Sequence, residues 1–195
     1  MVIGIDFDNT LISYDAVFHR LALEAGLIGT DFPAAKRAIR DAVRRSPQGE
    51  AAWQALQGQA YGPRMGEAQA APGARAFLDR CRETGTPALV ISHKTEFASV
   101  DPSRTPMRQA ARGWLAAQGF GDLPVRFGAT RKEKFAHIRA AGCTHFIDDL
   151  EETFLDPDFP TRVRAILYAP GGAPERPGLT VAPSWSALTR SLFGA

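Results

Sequence analysis

The sequence predicts an α/β fold: a Rossmann-like parallel sheet with helices on both faces, together with a small all-helical cap insertion. Short apolar, β-branched runs alternate with amphipathic segments of helical spacing, which is typical of a parallel, doubly wound sheet. The first run, from Val2 to Ile5, is typical of a strand that is buried on both faces. Residues 13–70 contain only helical patterns, which predicts that they interrupt the α/β core.

Composition excludes several classes of protein. A chain of 195 residues fits one domain with a small appendage, and 45% hydrophobic and 23% charged residues are typical of soluble globular proteins. The formal net charge of +2, with no Lys/Arg block longer than a pair, argues against a nucleic-acid partner. No apolar run approaches membrane-spanning length, so we expect no membrane association. The oligomeric state has no signature in the sequence.

The number and spacing of the cysteines indicate the redox state of the cellular compartment. Cys81 and Cys143 lack metal-type spacing, and two thiols in a chain of this length indicate a reducing environment. The first predicted strand begins next to Met1 and leaves no room for a signal peptide. We therefore expect a cytoplasmic protein.

The predicted core consists of residues 1–12 and 71–195. Its further strands are predicted at 88–91, 125–127, 144–147 and 163–168, and its helices at 74–83, 107–118, 131–141 and 185–193. Thr130 and Glu133 have the spacing of a capping box at the start of the third of these helices.

The predicted helical insertion, or cap, covers residues 13–70. Its helices are predicted at 16–25, 33–45 and 48–60. Thr30 or Asp31 is suited to cap the second helix, with Pro33 in its first turn. The Gly- and Pro-containing residues 61–72 would then lead back to the core.

Side chains that could take part in catalysis or metal binding follow three of the predicted strands. They lie in Asp6-Phe7-Asp8-Asn9-Thr10, Ser92-His93-Lys94 and Asp148-Asp149. Because the carboxyl ends of parallel strands meet at one edge of a sheet, we expect these groups to converge. Asp6 and Asp8 would repel each other unless a cation lay between them, and hard oxygen ligands favour Mg²⁺. The helix that begins near Thr130 adds Lys132 and Lys134.

This combination suits phosphoryl transfer. A carboxylate nucleophile can accept a phosphoryl group and form an aspartyl-phosphate. Magnesium, a lysine and a hydroxyl donor would neutralise and orient the transferring oxygens.

In four motifs the chain resembles the phosphatases of the haloacid dehalogenase (HAD) superfamily. An apolar strand followed by Asp-x-Asp-x-Thr is matched by residues 2–10, and a strand that ends in Ser or Thr by residues 88–92. A lysine at a helix start is matched by Lys134 or Lys132, and a strand that ends in two acids by residues 146–149. Residues 13–70 fall where the family carries its helical, C1-type cap.

The resemblance implies a role for each matched acid. Asp6 would be the nucleophile and a magnesium ligand. Asp8 would be the general acid/base and would also contact the metal through its main-chain carbonyl. Asp149 would be the further metal ligand, and Asp148 would support Asp149 without binding the metal itself.

The resemblance also implies roles for the remaining matched residues. Ser92 would donate a hydrogen bond to the phosphoryl group, and Lys134, with Lys132 as the alternative, would stabilise its charge. The candidate substrate-binding residues around them are Asn9, Thr10, His93 and Lys94.

Two departures from the family pattern stand out. Asn9 occupies a position where Gly or Leu is commonest, and the fourth motif lacks a third aspartate, for which Glu151 or Glu152 is a candidate. Neither departure removes a group that the chemistry needs.

We therefore expect a magnesium-dependent phosphatase that acts on a small phosphorylated metabolite whose identity the sequence does not reveal. The alternatives are a phosphotransferase of the mutase type in the same superfamily, or a non-catalytic HAD-like protein that binds a phosphorylated ligand. Dehalogenation is disfavoured because Asp8 has no use in that reaction.

Overall fold

The computed structural model describes residues 1–98, 100–101 and 103–194. Within them the strands are β1 (Ile3–Ile5), β2 (Ile12–Ser13), β3 (Gln69–Ala70), β4 (Ala88–His93), β5 (Val125–Gly128), β6 (His145–Asp148), β7 (Arg164–Tyr168) and β8 (Leu179–Ala182). The helices are α1 (Asp15–Glu24), α2 (Lys36–Arg44), α3 (Gly49–Tyr61), α4 (Ala74–Glu83), α5 (Met107–Ala117), α6 (Arg131–Ala140), α7 (Glu151–Leu155) and α8 (Trp185–Phe193), and Met65–Glu67 forms a 3₁₀ turn. None of the described helices is long and apolar enough to cross a membrane.

Six of the strands form one parallel sheet in the order β5-β4-β1-β6-β7-β8. This architecture confirms the predicted Rossmann-like α/β fold. The chain runs outward from β1 to one edge through β4 and β5, and then to the other edge through β6, β7 and β8, so the strand order reverses at β1. Ligands bind at such switch points in open α/β sheets. The three strands that the sequence singled out, β1, β4 and β6, are therefore neighbours.

The central strand β1 is buried along its whole length. Gly4 lies so close to the neighbouring strand that an added Cβ atom would sit 2.6 Å from the ring of Phe146 on β6. Glycine therefore allows this aromatic ring to pack directly on the backbone of β1. Phe146 belongs to an apolar cluster with Leu89 and Ile91 of β4 and Phe135 of α6. This cluster fixes α6 against the sheet.

The chain forms two compact units. Unit 1 contains residues 1–12, 70–94 and 122–195 and carries the sheet, and unit 2 contains residues 13–69 and 95–121 and is built on α1, α2, α3 and α5.

The grouping of residues 95–121 with unit 2 differs from the predicted division, in which they belonged to the core. The indole nitrogen of Trp114 on α5 donates a hydrogen bond to the carbonyl of Ala68 across 2.8 Å, and both residues are in unit 2. An added Cβ atom on Gly58 would lie 1.8 Å from the carbonyl oxygen of Val100, so α3 and the loop before α5 are in close backbone contact. The inward face of α5 was predicted, but the partner of that face was not.

The start of α2 also differs from the prediction. The helix begins at Lys36 rather than at Pro33, and neither Thr30 nor Asp31 caps it. The carboxylate of Asp15, at the start of α1, accepts a hydrogen bond from the backbone N–H of Lys36 across 2.8 Å. A side chain from another helix thus satisfies a first-turn donor that sequence reasoning assigned to a local cap.

Candidate active site

The loop after β1 is held in a tight turn by its own backbone. The N–H of Asp6 donates to the carbonyl of Ile147 on β6 across 2.8 Å, which extends the sheet ladder by one residue. The N–H groups of Leu11 and Ile12 both donate to the carbonyl of Phe7 across 3.1 Å. This turn places the side chains of residues 6 to 10 at the carboxyl edge of the sheet.

Asn9 adopts the left-handed backbone conformation in this turn, with φ of 59°. Among residues other than glycine, Asn is one of those that tolerate this region best. Asn therefore fits this turn, and glycine, one of the two residues commonest at this position in the family pattern, would meet the same backbone requirement.

Lys134 reaches the site from the first turn of α6. The hydroxyl of Thr130 accepts a hydrogen bond from the N–H of Glu133 across 3.2 Å, so the predicted N-cap is confirmed. An added Cβ atom on Gly128 would lie 2.8 Å from the backbone nitrogen of Lys134, so the end of β5 packs directly against the start of α6. Lys132 is exposed on the same helix, so Lys134 is the buried one of the two lysines that the sequence left open.

The ammonium group of Lys134 bridges two buried carboxylates. Its Nζ lies 2.6 Å from Oδ1 of Asp6 and 2.7 Å from Oδ2 of Asp148. All three residues are buried. Burial of a charge is costly unless it is paired, so these contacts stabilise one another.

Electrostatics in this cluster favour an additional cation. Burial raises the pKa of Asp6 to about 7, the charge of Lys134 opposes the shift, and the charges of Asp148 and Asp8 add to it. Burial alone would lower the pKa of Lys134, but the two carboxylates outweigh it and hold that pKa above its usual range. Lys134 therefore stays protonated at neutral pH. Asp6 has too little positive charge around it to be fully ionised at pH 7.

Three carboxylates at this edge of the sheet are arranged so that they could hold a metal ion. Single carboxylate oxygens of Asp6, Asp148 and Asp149 all lie within 4.8 Å of one another. Asp6 and Asp148 share the ammonium group of Lys134, so the three carboxylates of the cluster outnumber the cation that contacts them. Oxygen donors with that excess fit a hard divalent cation.

Asp148, the last residue of β6, and Asp149, which follows it, have different hydrogen-bond partners. Asp148 accepts from Lys134 at Oδ2 and from the N–H of Leu150 at Oδ1, across 3.0 Å, so both of its oxygens are engaged by protein. Asp149 is half-buried, and its Oδ1 accepts a hydrogen bond from the hydroxyl of Thr10 across 3.3 Å. Asp6 and Asp149 were predicted as carboxylate ligands and lie together, and the cluster also contains Asp148, which was predicted to support them.

A second buried lysine pairs with the other acid of the first motif. Nζ of Lys94, the residue directly after β4, lies 2.7 Å from Oδ2 of Asp8. The Lys94 side chain is 3% exposed and that of Asp8 is 23% exposed. The predicted contact of Asp8 with a metal concerns its main-chain carbonyl, so this ion pair leaves that prediction as it stands.

The remaining predicted residues lie at the same edge of unit 1. Ser92 is buried near the end of β4, in register with Phe127 of β5. His93 is exposed, and its Nε2 donates a hydrogen bond to the carbonyl of Ala129 across 2.9 Å, which ties the end of β4 to the turn before α6. Of the two glutamates considered for the fourth motif, Glu151 forms an ion pair with Arg176.

The sequence predicted that these side chains lie at one edge of the sheet, but it did not predict how they pair. Lys94 was predicted as a substrate-binding residue, and the structure places its ammonium group on Asp8. Thr10 was predicted to bind substrate, and its hydroxyl contacts Asp149. The burial of Lys94 becomes apparent only in the fold, so the sequence carried no signal for this internal ion pair.

Unit 2 contains a cavity of about 180 Å³. Apart from the tyrosine hydroxyl, its lining has no ionisable side chain, and it consists of Gln54, Gln57, Gly58, Tyr61, Thr95, Ala98, Val100 and Met107.

The fold is similar to the folds of several solved HAD-superfamily hydrolases. A HAD-superfamily hydrolase from Ehrlichia chaffeensis is 11% identical with a TM-score of 0.61, over 97% of this chain and 94% of that one. A HAD family hydrolase from Deinococcus radiodurans, with bound phosphate and sodium, is 14% identical with a TM-score of 0.59, over 98% and 94%. A magnesium-bound HAD-hydrolase from Bacillus subtilis is 11% identical with a TM-score of 0.54, over 98% of each chain.

The same fold also occurs in dehalogenases, one of them an L-2-haloacid dehalogenase. No protein-family model and no curated protein matches the chain. At these identities the comparisons establish the fold, which the four motifs had predicted, and the chemistry has to be argued from the residues.

Proposed function

Because the chain has the fold of the HAD-superfamily hydrolases, we propose that it is a magnesium-dependent phosphatase that hydrolyses a small phosphorylated metabolite through a phospho-aspartate. The observation that carries the proposal is the carboxylate cluster of Asp6, Asp148 and Asp149, in which Asp6 and Asp148 contact the buried ammonium group of Lys134. Such a cluster can hold a divalent cation and a carboxylate nucleophile side by side. The phosphate in the Deinococcus radiodurans structure and the magnesium in the Bacillus subtilis structure are consistent with this choice.

In the first half of the proposed reaction, a carboxylate oxygen of Asp6 attacks phosphorus. The bond between phosphorus and the leaving oxygen breaks, and Asp8 gives its proton to that oxygen. Lys134 stays protonated and neutralises negative charge next to Asp6. The hydroxyl of Ser92 donates a hydrogen bond to a phosphoryl oxygen, as the family resemblance implies.

In the second half, water attacks the phosphorus of the phospho-aspartate. Asp8, which is now a carboxylate, takes the proton of that water, and the bond between phosphorus and the Asp6 oxygen breaks to release phosphate. Asp6 and Asp8 return to their starting states, so no other reactant is consumed.

Asp6 and Asp149, the carbonyl of Asp8 and the nearby Asp148 would hold the divalent cation. When bound, such a cation supplies positive charge that offsets the excess of carboxylates and polarises the phosphoryl oxygens. Thr10 orients Asp149 from behind, and Leu150 and Lys134 orient Asp148. Contacts of this kind fix ligand geometry and tune metal affinity.

The other reactions considered for this fold need different groups. A dehalogenase does not require a proton donor for its halide leaving group, whereas here the carboxylate of Asp8 is held by a buried lysine at the sheet edge. A non-catalytic phospho-ligand-binding protein would not need Asp6 and Asp8 together. A mutase would use the same residues and differ in the acceptor of the phosphoryl group.

The experiment is a screen of phosphorylated metabolites and a generic aryl phosphate for Mg²⁺-dependent release of phosphate. Phosphate release that is lost on chelation and in Asp6→Asn supports the proposal. Isomerisation of a sugar phosphate without free phosphate would indicate a mutase instead. Phosphate release that survives Asp6→Asn would contradict the mechanism.

A further inference from the structure

Lys94 is a buried cation whose position the proposed reaction has not yet used. It follows β4 directly and comes two residues after Ser92. Its backbone N–H donates to the carbonyl of Gly128 across 2.9 Å, which continues the β4–β5 ladder and fixes the main chain at this point. Its Nζ lies 2.7 Å from Oδ2 of Asp8 and 5.3 Å from the centroid of the Phe7 ring.

The burial of this lysine has to be compensated by its contacts. An ammonium group with 3% side-chain exposure loses most of its hydration, and a charge-assisted hydrogen bond to a carboxylate and an aromatic face can offset that loss. Asp8 is the more accessible member of the pair, with 23% of its side chain exposed. Lys94 therefore holds a carboxylate that can still reach a bound substrate.

The two acids of the first motif each have their own lysine. Lys134 contacts Asp6 and Asp148 from α6, and Lys94 contacts Asp8 from the end of β4. The proposed reaction gives these acids different tasks, attack on phosphorus and proton exchange. Separate cations would allow each carboxylate to be held in its own orientation.

We propose that Lys94 is a positioning residue for the proton-exchange step, in which its ammonium group holds the Asp8 carboxylate in line with the leaving oxygen. This inference depends on the proposed phosphatase function. When the bond between phosphorus and the leaving oxygen breaks, the proton of Asp8 moves to that oxygen and leaves a carboxylate next to Nζ of Lys94. When water attacks the phospho-aspartate, its proton returns to Asp8. Lys94 keeps its own protons throughout.

Leaving groups of different acidity test this role. A nitrophenolate leaves without needing a proton, whereas the alkoxide of a simple alkyl phosphate is a poor leaving group unless it is protonated. The ratio kcat/KM reports events up to formation of the phospho-aspartate, so it isolates the step in which Asp8 is the acid. A residue that acts through Asp8 should therefore matter for the alkyl phosphate and much less for the nitrophenyl phosphate.

The variants are Lys94→Met, which keeps the length of the side chain and removes its charge, and Lys94→Gln, which keeps a hydrogen-bond donor. We expect Lys94→Met to lower kcat/KM for the alkyl phosphate by about 100-fold, within the range for general acid catalysis, and for nitrophenyl phosphate by less than about tenfold. Lys94→Gln should fall between wild type and Lys94→Met on the alkyl phosphate. In the background of Asp8→Asn, Lys94→Met should cause little further loss, because its effect passes through Asp8.

The outcomes separate this inference from the proposed function. The positioning role would be overturned if Lys94→Met lowered kcat/KM equally on both substrates. It would also be overturned if the fold-loss of the double variant equalled the product of the fold-losses of Lys94→Met and Asp8→Asn. In either case phosphate release by the wild-type protein would still support the phosphatase function. If Lys94→Met did not fold, the same comparison with Lys94→Gln would decide. A wild-type protein that released phosphate from neither substrate would overturn the proposed function and this role with it.

Discussion

The ammonium group of Lys134 lies 2.6 Å from Oδ1 of Asp6, a residue 128 positions away in the sequence. The contact joins the start of α6 to the loop after β1. It brings positive charge directly to the proposed nucleophile, whereas Lys132, two residues earlier, is exposed.

Substitution of these two lysines should therefore have very different effects. We expect Lys134→Met to lower kcat for phosphate release by about 100- to 1,000-fold, because one preorganised charge contact to the transition state is lost. Lys132→Met, the matched substitution at the exposed lysine, should leave kcat within about twofold of wild type. Steady-state kinetics on the aryl phosphate would measure both, and a comparable loss in Lys132→Met would refute the assignment.

Magnesium should stabilise the protein more at alkaline than at acidic pH. Burial raises the pKa of Asp6 from 3.8 to about 7, so the metal-free folded protein binds a proton between these values that the unfolded chain has released. The contribution of Asp6 to the free energy of unfolding therefore falls as pH rises from about 4 to about 7. A divalent cation binds the ionised carboxylates and reverses this loss.

Thermal unfolding with and without Mg²⁺ would measure the effect. The increase in Tm on adding Mg²⁺ should be larger at about pH 8 than at about pH 5.5, where protons compete for Asp6. Asp6→Asn should reduce the dependence of that increase on pH. An increase in Tm of the same size at both pH values would contradict the assignment of Asp6 as a ligand.

Thr10 offers a test of the metal site that leaves all its carboxylates in place. Its hydroxyl donates to Oδ1 of Asp149 across 3.3 Å. Thr10→Val removes this donor at nearly constant volume, and we expect it to weaken magnesium binding by about 10- to 100-fold. Thr10→Ser keeps the hydroxyl and should bind magnesium nearly as wild type does. Titration calorimetry would compare the two, and equal affinities would show that the contact does not orient Asp149.

The conformation of Asn9 leads to a prediction about stability. At φ of 59° a β-branched residue is strained, so Asn9→Val should lower the free energy of unfolding by about 1–2 kcal/mol. Asn9→Gly should change it by less than about 0.5 kcal/mol, since glycine enters this region without strain. Urea denaturation would measure both. A large loss in Asn9→Gly would mean that the amide side chain has a role of its own.

Much of the sheet could be predicted because its central strands carry a strong local signal. Val2 to Ile5 and residues 144–147 are apolar runs that end abruptly in acids, and topology alone brings such ends to one edge. The short elements α7 and β8 were missed, since they have neither a continuous apolar run nor enough residues to show a period.

The pairing of charges within the site could not be predicted, because it depends on side-chain directions across distant segments. Sequence placed Lys94 after a strand end but gave no reason to connect it with Asp8 rather than with substrate. Likewise, Trp114 was predicted to face inward on its helix, and only the fold shows that its indole contacts Ala68 in unit 2. Only the structure shows which side of α6 faces the sheet, and therefore that Lys134 is buried and Lys132 exposed.

The central claim, that Asp6 carries the phosphoryl group, is tested most directly by trapping it. Asp8→Asn should still allow Asp6 to attack an aryl phosphate, whose leaving group needs no proton, but should lack the base for hydrolysis, so the phosphorylated protein should accumulate. After acid quenching and digestion, mass spectrometry should find one phosphoryl group on the peptide that contains Asp6, and none in a variant that also carries Asp6→Asn. A phosphoryl group on another residue, or full turnover by Asp8→Asn without a phosphorylated protein, would contradict the account.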